Sequence, residues 1–307
     1  MPNGAAGQAA VTSAAARFAL FLVLHCPAAE HARTVAAACA ALPGLARRMS
    51  VAFPAARLTA SVGFGSAFWD AVSPGRRPAQ LRPFAPIDAG RWQAPASGGD
   101  VFVHVKSSRM DLNLDLARAL LDPLAGKTRT GEEVHGFSYR DSRDLTGFID
   151  GTANPRGRAR AQAAHIGAED ARFAGGSYVL TQRYVHDLKA WEALSVSQQE
   201  AIVGRRKRDS KELAQAPDTS HIRRAELKEG GEELPILRQG MPYGSAGGEL
   251  GLYFVAYAQD PGRFERMLRR MLGSAEDGKH DRLMEFTRPV SGAFFFVPSL
   301  SVLKSLA

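Results

Sequence analysis

Cysteine is scarce in this chain. Only Cys26 and Cys39 occur among 307 residues, and they form no CxxC pair. Two such residues cannot build a disulfide framework or a zinc site by themselves. We therefore expect two reduced thiols, in or near the core of a cytoplasmic protein.

Long apolar runs are also missing. The run FALFLVL, residues 18–24, is much shorter than the roughly 20 residues needed to cross a bilayer. It is also a poor signal peptide, because Arg17 is the only cation before it and the bulky His25 precedes Cys26. We interpret the run as a first buried strand.

Several common catalytic motifs are absent from the sequence. It has no GxxxxGK[ST] phosphate loop, no GxSxG elbow and no HExxH. Gly244, Gly247 and Gly248 precede an expected strand, which is the wrong context for a dinucleotide-binding fingerprint. The commonest nucleotide-dependent and zinc enzymes are therefore excluded.

The composition is that of a soluble globular protein, with 45% apolar and 23% charged residues. The formal charge of +8 suits nucleic acid, an anionic surface, an anionic ligand or a solubilising Arg-rich surface. No nucleic-acid recognition motif accompanies the charge, and residues 204–211, GRRKRDSK, are the only dense basic cluster. We favour the solubilising surface and expect no nucleic-acid or membrane partner.

Apolar patterning predicts a similar order of strands and helices in each half of the chain. In the first half the predicted strands are 18–24, 58–65 and 100–108, and the predicted helices are 30–49 and 110–126. In the second half the predicted strands are 177–185, 221–227, 234–239, 249–259 and 292–299, and the predicted helices are 187–204 and 260–273. Residues 1–15 are expected to form a mobile tail, and 127–172 a long functional connection. We predict an α+β fold with two antiparallel sheets backed by helices.

Two residues stand out as candidates for chemistry. Asp150 lies in GFIDGTANP, residues 147–155, where flanking glycines make the chain pliable; a plain Asp-Gly turn is the alternative. His221 follows the polar stretch DTS and opens a predicted strand, where its imidazole could face a pocket. A single neutral imidazole is the axial ligand of haem in globins and peroxidases.

GFIDGTANP resembles the GxxDG motif of dye-decolourising peroxidases. Five further blocks follow in the order of that family: SYVLTQRYVHDLKAWEALSVSQQEAIVGRRK, TSHIRRAEL, ILRQGMPYG, ELGLYFVAYAQD and FFFVPS. The likeness covers roughly residues 15–303 and is closest to the compact bacterial B-type branch. It implies two ferredoxin-like domains with antiparallel sheets and peripheral helices, at 16–140 and 141–307, with haem b in the carboxy-terminal domain.

The resemblance implies three central roles. Asp150 becomes the distal acid-base residue, Arg238 the distal arginine and His221 the proximal iron ligand. A carboxylate within hydrogen-bond reach of both peroxide oxygens can carry a proton from one to the other. A fixed guanidinium stabilises developing negative charge, an effect worth about 3–4 kcal/mol per donor.

Further contacts follow from the same resemblance. Asp281, with Glu285 as the alternative, would accept the second ring N–H of His221 and fix its tautomer. Leu252 and Phe254 would give the distal side an apolar surround, although ordinary core packing explains them equally well. The remaining expected cofactor contacts are Arg224 and Arg205 at the propionates, Thr152 and Asn154 at the rim, and Gly151, which with Gly147 would let the backbone approach the porphyrin.

One position departs from the family pattern. Many B-type relatives carry Asn two residues after the distal arginine, whereas Gly240 stands there in this sequence. We expect the missing amide to leave room for water and to remove one hydrogen bond to peroxide.

The resulting functional hypothesis is a cytoplasmic haem b peroxidase that uses hydrogen peroxide to oxidise small organic donors such as dyes and phenolics. Surface aromatic residues such as Tyr243, Trp191 or Tyr253 are candidate electron relays, with simple packing as the alternative. A haem carrier with incidental peroxidase activity is the competing hypothesis. We also expect a homo-oligomer, from dimer to hexamer, and no carboxy-terminal tag after LKSLA.

Overall fold

The computed structural model describes residues 6–307, which form fourteen strands and ten α-helices. The strands are β1 Phe18–His25, β2 Thr59–Phe64, β3 Ile87–Ala89, β4 Trp92–Ala94, β5 Val101–Ser107, β6 Arg129–Phe137, β7 Ser177–His186, β8 Lys228–Glu229, β9 Glu232–Glu233, β10 Leu237–Arg238, β11 Met241–Gly244, β12 Leu250–Ala258, β13 Thr287–Pro289 and β14 Ala293–Val297. The helices are α1 Ala9–Thr12, α2 Ala32–Ala52, α3 Ser66–Val72, α4 Met110–Leu121, α5 Arg158–Ala164, α6 Leu188–Glu192, α7 Val196–Val203, α8 His221–Ala225, α9 Gly262–Leu272 and α10 Leu300–Lys304.

The main sheet contains strands from both halves of the chain. Its order is β10-β12-β7-β14-β2-β5-β1-β6, all neighbours are antiparallel, and β11 and β13 pair with β12 and β7. The two halves meet where Phe296 of β14 lies opposite Phe64 of β2. The α+β prediction is confirmed, and the sheets of the two halves are joined along one edge.

The central strands of this sheet are buried on both faces. In β1, Leu20 and Leu22 pack with α2 in one core cluster, whereas Phe21 and Val23 join a second cluster with Phe295. A strand covered on both sides needs apolar residues at every position. This explains why FALFLVL is a continuous apolar run.

Strand β6 lies in the segment predicted to be a connection. Its residues RTGEEVHGF are mostly exposed, because β6 is at the end of the strand order and pairs with β1 alone. Polar residues on such an edge strand hide the apolar pattern that indicates a strand. At Gly136 a side chain would meet Met241 Cβ at 2.8 Å, so the missing side chain allows β11 to approach β6.

Two other predicted elements need correction. Residues 187–204 form two helices, α6 and α7, with Ser195 as the capping residue of the second. Residues 221–227 contain the short helix α8 in place of a strand. Helix α9 is as predicted and ends at Gly273, whose φ of +83° suits a glycine cap.

The predicted mobile tail covers residues 1–15, and this prediction is wrong for residues 6–15, which the structure describes. Residues 1–5 lie outside the described residues. Beyond them, Gln8 is buried and donates to the carbonyls of Val62 and Pro298, and Val62 N donates to its Oε1, at 2.8–2.9 Å. This segment therefore contacts both halves of the molecule.

Within residues 6–307, no helix has both the length and the apolar character that crossing a bilayer requires.

Candidate active site

A cavity of about 300 Å³ lies in the carboxy-terminal half. Leu252 and Phe254 of β12 line it from the sheet, and Met267 and Met271 of α9 line it from the helices. The loop that contains GFIDG closes another side. Asp150, Arg238 and His221, which are far apart in the sequence, all line this one cavity.

Backbone hydrogen bonds shape the loop that carries Asp150. Asp144 N donates to Phe148 O, Gly147 N donates to Asp144 O, and Asp150 N donates to Ser142 O, all at 2.8–2.9 Å. Gly147 and Gly151 adopt φ values of +88° and +70°, which strain any other residue.

The expected role of Gly147 beside a cofactor is wrong. A side chain there would meet Lys207 Cε at 2.6 Å, and the residue does not line the cavity. Gly151 does line it, as expected.

The surroundings of Asp150 disfavour its negative charge. Its accessible surface belongs to the cavity wall, and burial raises the pKa of the carboxyl above its ordinary value. Arg238 opposes this shift by charge attraction, Asp144 reinforces it by repulsion, and His221 lowers the pKa slightly. A carboxylate with a raised pKa is the stronger base once it is ionised.

Arg238 is held through its backbone. The N–H of Arg238 donates to Asn154 Oδ1 at 2.9 Å, and Asn154 Nδ2 donates to the carbonyl of Arg238 at 2.8 Å. Asn154 itself does not line the cavity. Its expected place at the cofactor rim is therefore wrong, because both ends of its amide are used to position Arg238.

His221 is the first residue of α8, and Ser220 precedes it as the cap position. Its Nδ1 lies 2.7 Å from Asp281 Oδ2, and Asp281 is fully buried. Asp281 Oδ1 accepts from Leu283 N at 2.9 Å, which fixes the carboxylate. The predicted hydrogen bond is present; Glu285, the alternative, contacts His280 instead.

The free nitrogen of His221 is Nε2. No hydrogen bond reaches this atom from any residue between 6 and 307. An imidazole with one nitrogen anchored to a carboxylate and the other unused is arranged as a metal ligand.

Of the two predicted propionate-binding arginines, only Arg205 lines the cavity. It donates to Ser210 O and forms an ion pair with Glu212, both at 2.8 Å. Arg224 is buried away from the cavity, where it donates to both carboxylate oxygens of Asp277 and to Arg270 O. The prediction that Arg224 binds a propionate is wrong, because this side chain packs α8 against α9.

Family models match both halves of the chain. The model described as Dyp-type peroxidase, N-terminal, matches residues 8–138, and the one described as Dyp-type peroxidase, C-terminal, matches residues 141–302. The chain belongs to the Dyp-type peroxidase family. It is therefore an enzyme, an oxidoreductase that acts on peroxide.

Individual relatives agree with this placement. The dye-decolorizing peroxidase of Mycobacterium tuberculosis is 40% identical over 289 residues, which cover 93% of this chain and 86% of that protein. DyPB from Rhodococcus jostii superposes with a TM-score of 0.94 at 40% identity, covering 99% of both chains. The dye-decolorizing protein from Vibrio cholerae superposes with a TM-score of 0.93 at 41% identity, covering 97% of this chain and 99% of that one.

Sequence reasoning missed two further residues of this peroxidase's cavity, Asp144 and His186. His186 Nε2 lies 3.2 Å from Asp144 Oδ2, and His186 Nδ1 lies 2.7 Å from Thr287 Oγ1. Burial acts to raise the pKa of Asp144, but His186 and Thr146 outweigh it and hold the pKa below its usual value. The available signal was the histidine at the end of β7, where a side chain can face a cavity.

Gly240 lines the cavity, but a side chain there would collide with β12. An added Cβ would lie 2.6 Å from Tyr253 O and 3.0 Å from Phe254 Cα. The backbone of β12 therefore leaves no room for a side chain at this position. Glycine at this position allows the close approach of the two segments.

The other predicted positions divide between cavity and core. Thr152, Leu252 and Phe254 line the cavity, and Thr152 Oγ1 contacts Ser210 Oγ at 2.9 Å. The three candidate relay residues were expected at the surface, and that expectation is wrong. All are buried: Tyr243, Trp191 and Tyr253 are 8%, 1% and 0% exposed.

Proposed function

We propose that this peroxidase binds haem b in the cavity and uses hydrogen peroxide to oxidise small organic donors such as dyes and phenolics. His221 would hold the iron, Asp150 would move the proton of peroxide, and Arg238 would stabilise negative charge. The observation that carries the proposal is the meeting of these three side chains in one cavity.

The residues present fit a haem. The walls contributed by β12 and α9 are apolar, Nε2 of His221 is free to ligate, and Arg205 and Arg223 supply cations at the cavity for the propionates. Two structural neighbours, variants of the Rhodococcus jostii protein, were determined in complex with heme. When bound, haem b would supply the redox-active iron that peroxide oxidises.

The chemistry of the protein groups follows from their surroundings. Asp150 accepts a proton from peroxide and returns it to the departing oxygen, a task that its raised pKa favours. The Arg238 guanidinium lines the same cavity, and its charge opposes the rise in the pKa of this carboxyl. The same cation stabilises negative charge on the peroxide oxygens in a site of low polarity. Asp281 keeps Nδ1 of His221 engaged, so Nε2 would be the atom that holds the iron.

We also infer two domains, 16–140 and 141–307, in a cytoplasmic homo-oligomer of two to six subunits. Two cysteines without a disulfide support the compartment. A neighbour from Mycobacterium smegmatis, described as an encapsulated DyP-type peroxidase, belongs to a larger assembly. Sedimentation of the purified protein measures the subunit number.

The decisive experiment is the absorption spectrum of the purified protein before and after one equivalent of peroxide. We expect a haem spectrum that changes rapidly, and Asp150→Asn should slow the change by about 10²–10⁴-fold. The control is Asp141→Asn, an exposed carboxylate in the same loop. An equally fast change in the Asp150 variant would refute the acid-base role, whereas slow reaction of the unmodified protein with reversible haem exchange would favour the carrier.

A further inference from the structure

A second cavity, of about 420 Å³, lies on the outer side of the GFIDG loop. We call it the basic pocket and define it by Tyr139, Arg140, Arg143, Trp191, Lys207 and Arg208. Thr146 lines both this pocket and the cavity of the active site, but Asp150, Arg238 and His221 do not line it. The basic pocket is thus adjacent to the active site and separate from it.

Positive charge dominates its lining. Four cationic side chains face one carboxylate, Glu192. Within the described part of the chain, Arg140, Arg143 and Lys207 form no ion pair, and Arg208 comes only within 3.8 Å of Asp209. Four cations beside one carboxylate leave a net positive charge in this concavity, and a bound anion would relieve the repulsion among them.

Lys207 packs against the loop at Gly147, where an added side chain would meet its Cε at 2.6 Å. It is half-buried, its Nζ donates to Gln199 Oε1 at 2.6 Å and lies 5.6 Å from the ring centre of Phe148. Burial lowers the pKa of its ammonium group, the charges of Glu192 and Glu200 oppose this shift, and the charge of Arg143 adds to it. Glu192 compensates this charge only in part, since Lys207 forms no ion pair within residues 6–307, so the ammonium group is available to an incoming anion.

Aromatic rings form the other part of the pocket. The Arg140 guanidinium lies 5.0 Å from the ring centre of Tyr139, which is half-buried. The indole of Trp191 is fixed behind the pocket by a hydrogen bond from Nε1 to Thr146 O at 2.9 Å. A ring that enters the pocket can therefore stack on aromatic surface while its charged group meets the cations.

The loop at the rim of the pocket has a strained backbone, and hydrogen bonds hold it in place. Arg140, Asp141 and Ser142 have φ values of +33°, +55° and +65° in succession, although none is glycine. The guanidinium of Arg143 holds the loop by donating to Gly147 O and Lys207 O at 2.8 and 2.7 Å. Consecutive strained residues are typical of functional segments.

We propose that the basic pocket binds a small aromatic anion, an arene carboxylate or arene sulfonate, at a site distinct from the peroxidase cavity. The ring stacks on Tyr139, and the anionic group meets Lys207 and Arg208. The proposal concerns binding alone and needs no peroxide chemistry, so its failure would leave the proposed function untouched.

Titration calorimetry of the holoenzyme with benzenesulfonate, without peroxide, tests this site. We expect one binding site in the unmodified protein, with affinity that falls as salt increases. Arg208→Gln and Lys207→Gln should each weaken binding about tenfold or more, the size expected for a hydrogen bond to a charged group. Arg208 is 88% exposed, so its replacement leaves the fold intact.

Arg118→Gln is the matched control, because it removes the same charge from the exposed face of α4, in the other half of the chain. Its affinity for benzenesulfonate should equal that of the unmodified protein. Inorganic sulfate should bind at least about tenfold more weakly than benzenesulfonate, since it lacks the ring. The haem absorption spectrum should not change on binding.

Three results would overturn the proposal. They are the absence of benzenesulfonate binding, unchanged affinity in both the Lys207 and Arg208 variants, and a haem spectral shift that shows binding in the cavity instead. Equal affinity for sulfate would overturn the aromatic part of the assignment.

Discussion

Asp150 is placed where its ionisation is costly, and neighbouring charges adjust that cost. Burial and Asp144 raise the pKa of its carboxyl, whereas Arg238 and His221 lower it. A base must be ionised to accept a proton, so activity is lost as the pH falls through this raised pKa. The acid limb of the pH profile is therefore a property of several residues together.

Replacing Asp144 tests how one neighbouring charge affects the pKa of Asp150. Asp144→Asn removes a negative neighbour, so the pKa of Asp150 should fall and the acid limb of the peroxide reaction should move to lower pH. Stopped-flow rates measured across the acid range give the limb for the variant and the unmodified protein. Asp141→Asn should leave it in place, and movement to higher pH would contradict the assignment of the Asp144 charge.

Gly240 is the second residue whose surroundings decide its effect. Gly240→Ala should lower the free energy of unfolding by about 1–3 kcal/mol, because the new Cβ overlaps the carbonyl of Tyr253. Gly247→Ala is the matched control, since no atom of residues 6–307 lies within 4 Å of a side chain there. Urea unfolding midpoints are measured for both variants. Equal midpoints would mean that the backbone of β12 shifts to accommodate the new Cβ at little cost.

Helix α8 shows how neighbouring elements position a functional side chain. It has only five residues, His221–Ala225, too few to be stable as an isolated helix. It is held by α9 on one side and by the end of α7 on the other, where Gly204 caps α7 with a φ of +88°. A side chain at Gly204 would meet Ile222 Cγ1 at 2.6 Å.

Gly204→Ala should therefore displace the element that carries His221. The left-handed conformation alone costs alanine about 1–2 kcal/mol. Gly126→Ala shares that cost, because Gly126 has a φ of +74°, but no atom of the described residues lies within 4 Å of its added Cβ. We expect both variants to lose stability and only Gly204→Ala to lose haem faster to a competing apoprotein. Equal rates of haem loss from the two variants would show that the end of α7 does not position His221.

The whole molecule is tied together by its first described residues. Gln8 contacts Val62 in one half and Pro298 in the other, and Arg160 donates to the carbonyls of Thr12 and Ser13. These residues therefore link the two halves close to the edge where β2 meets β14.

Gln8→Ala should lower the free energy of unfolding by about 1–3 kcal/mol, because it leaves the buried backbone groups of Val62 and Pro298 without partners. Gln93→Ala is the control, since Gln93 is exposed in the β3–β4 hairpin. Urea unfolding measures both. Equal stability of the two variants would show that the amino-terminal segment does not link the halves.

The sequence by itself determined the features that depend on local chemistry and on the order of residues. Strand β1 was predicted because burial on both faces requires a continuous apolar run, and α9 because its apolar residues recur at helical spacing before Gly273. The ordered blocks around Asp150, His221 and Arg238 pointed to the family. Each of these signals is read along the chain, from a short stretch or from the order of such stretches.

Only the tertiary structure decided which side chains share a cavity. Arg224 and Arg223 are neighbours in sequence, but the packing of α8 on α9 buries the first and places the second at the cavity. Asp144 and His186 meet across 42 positions, and the close approach of β12 gives Gly240 its role. Packing between distant segments determines such contacts, and local sequence does not record them because no single segment contains both partners.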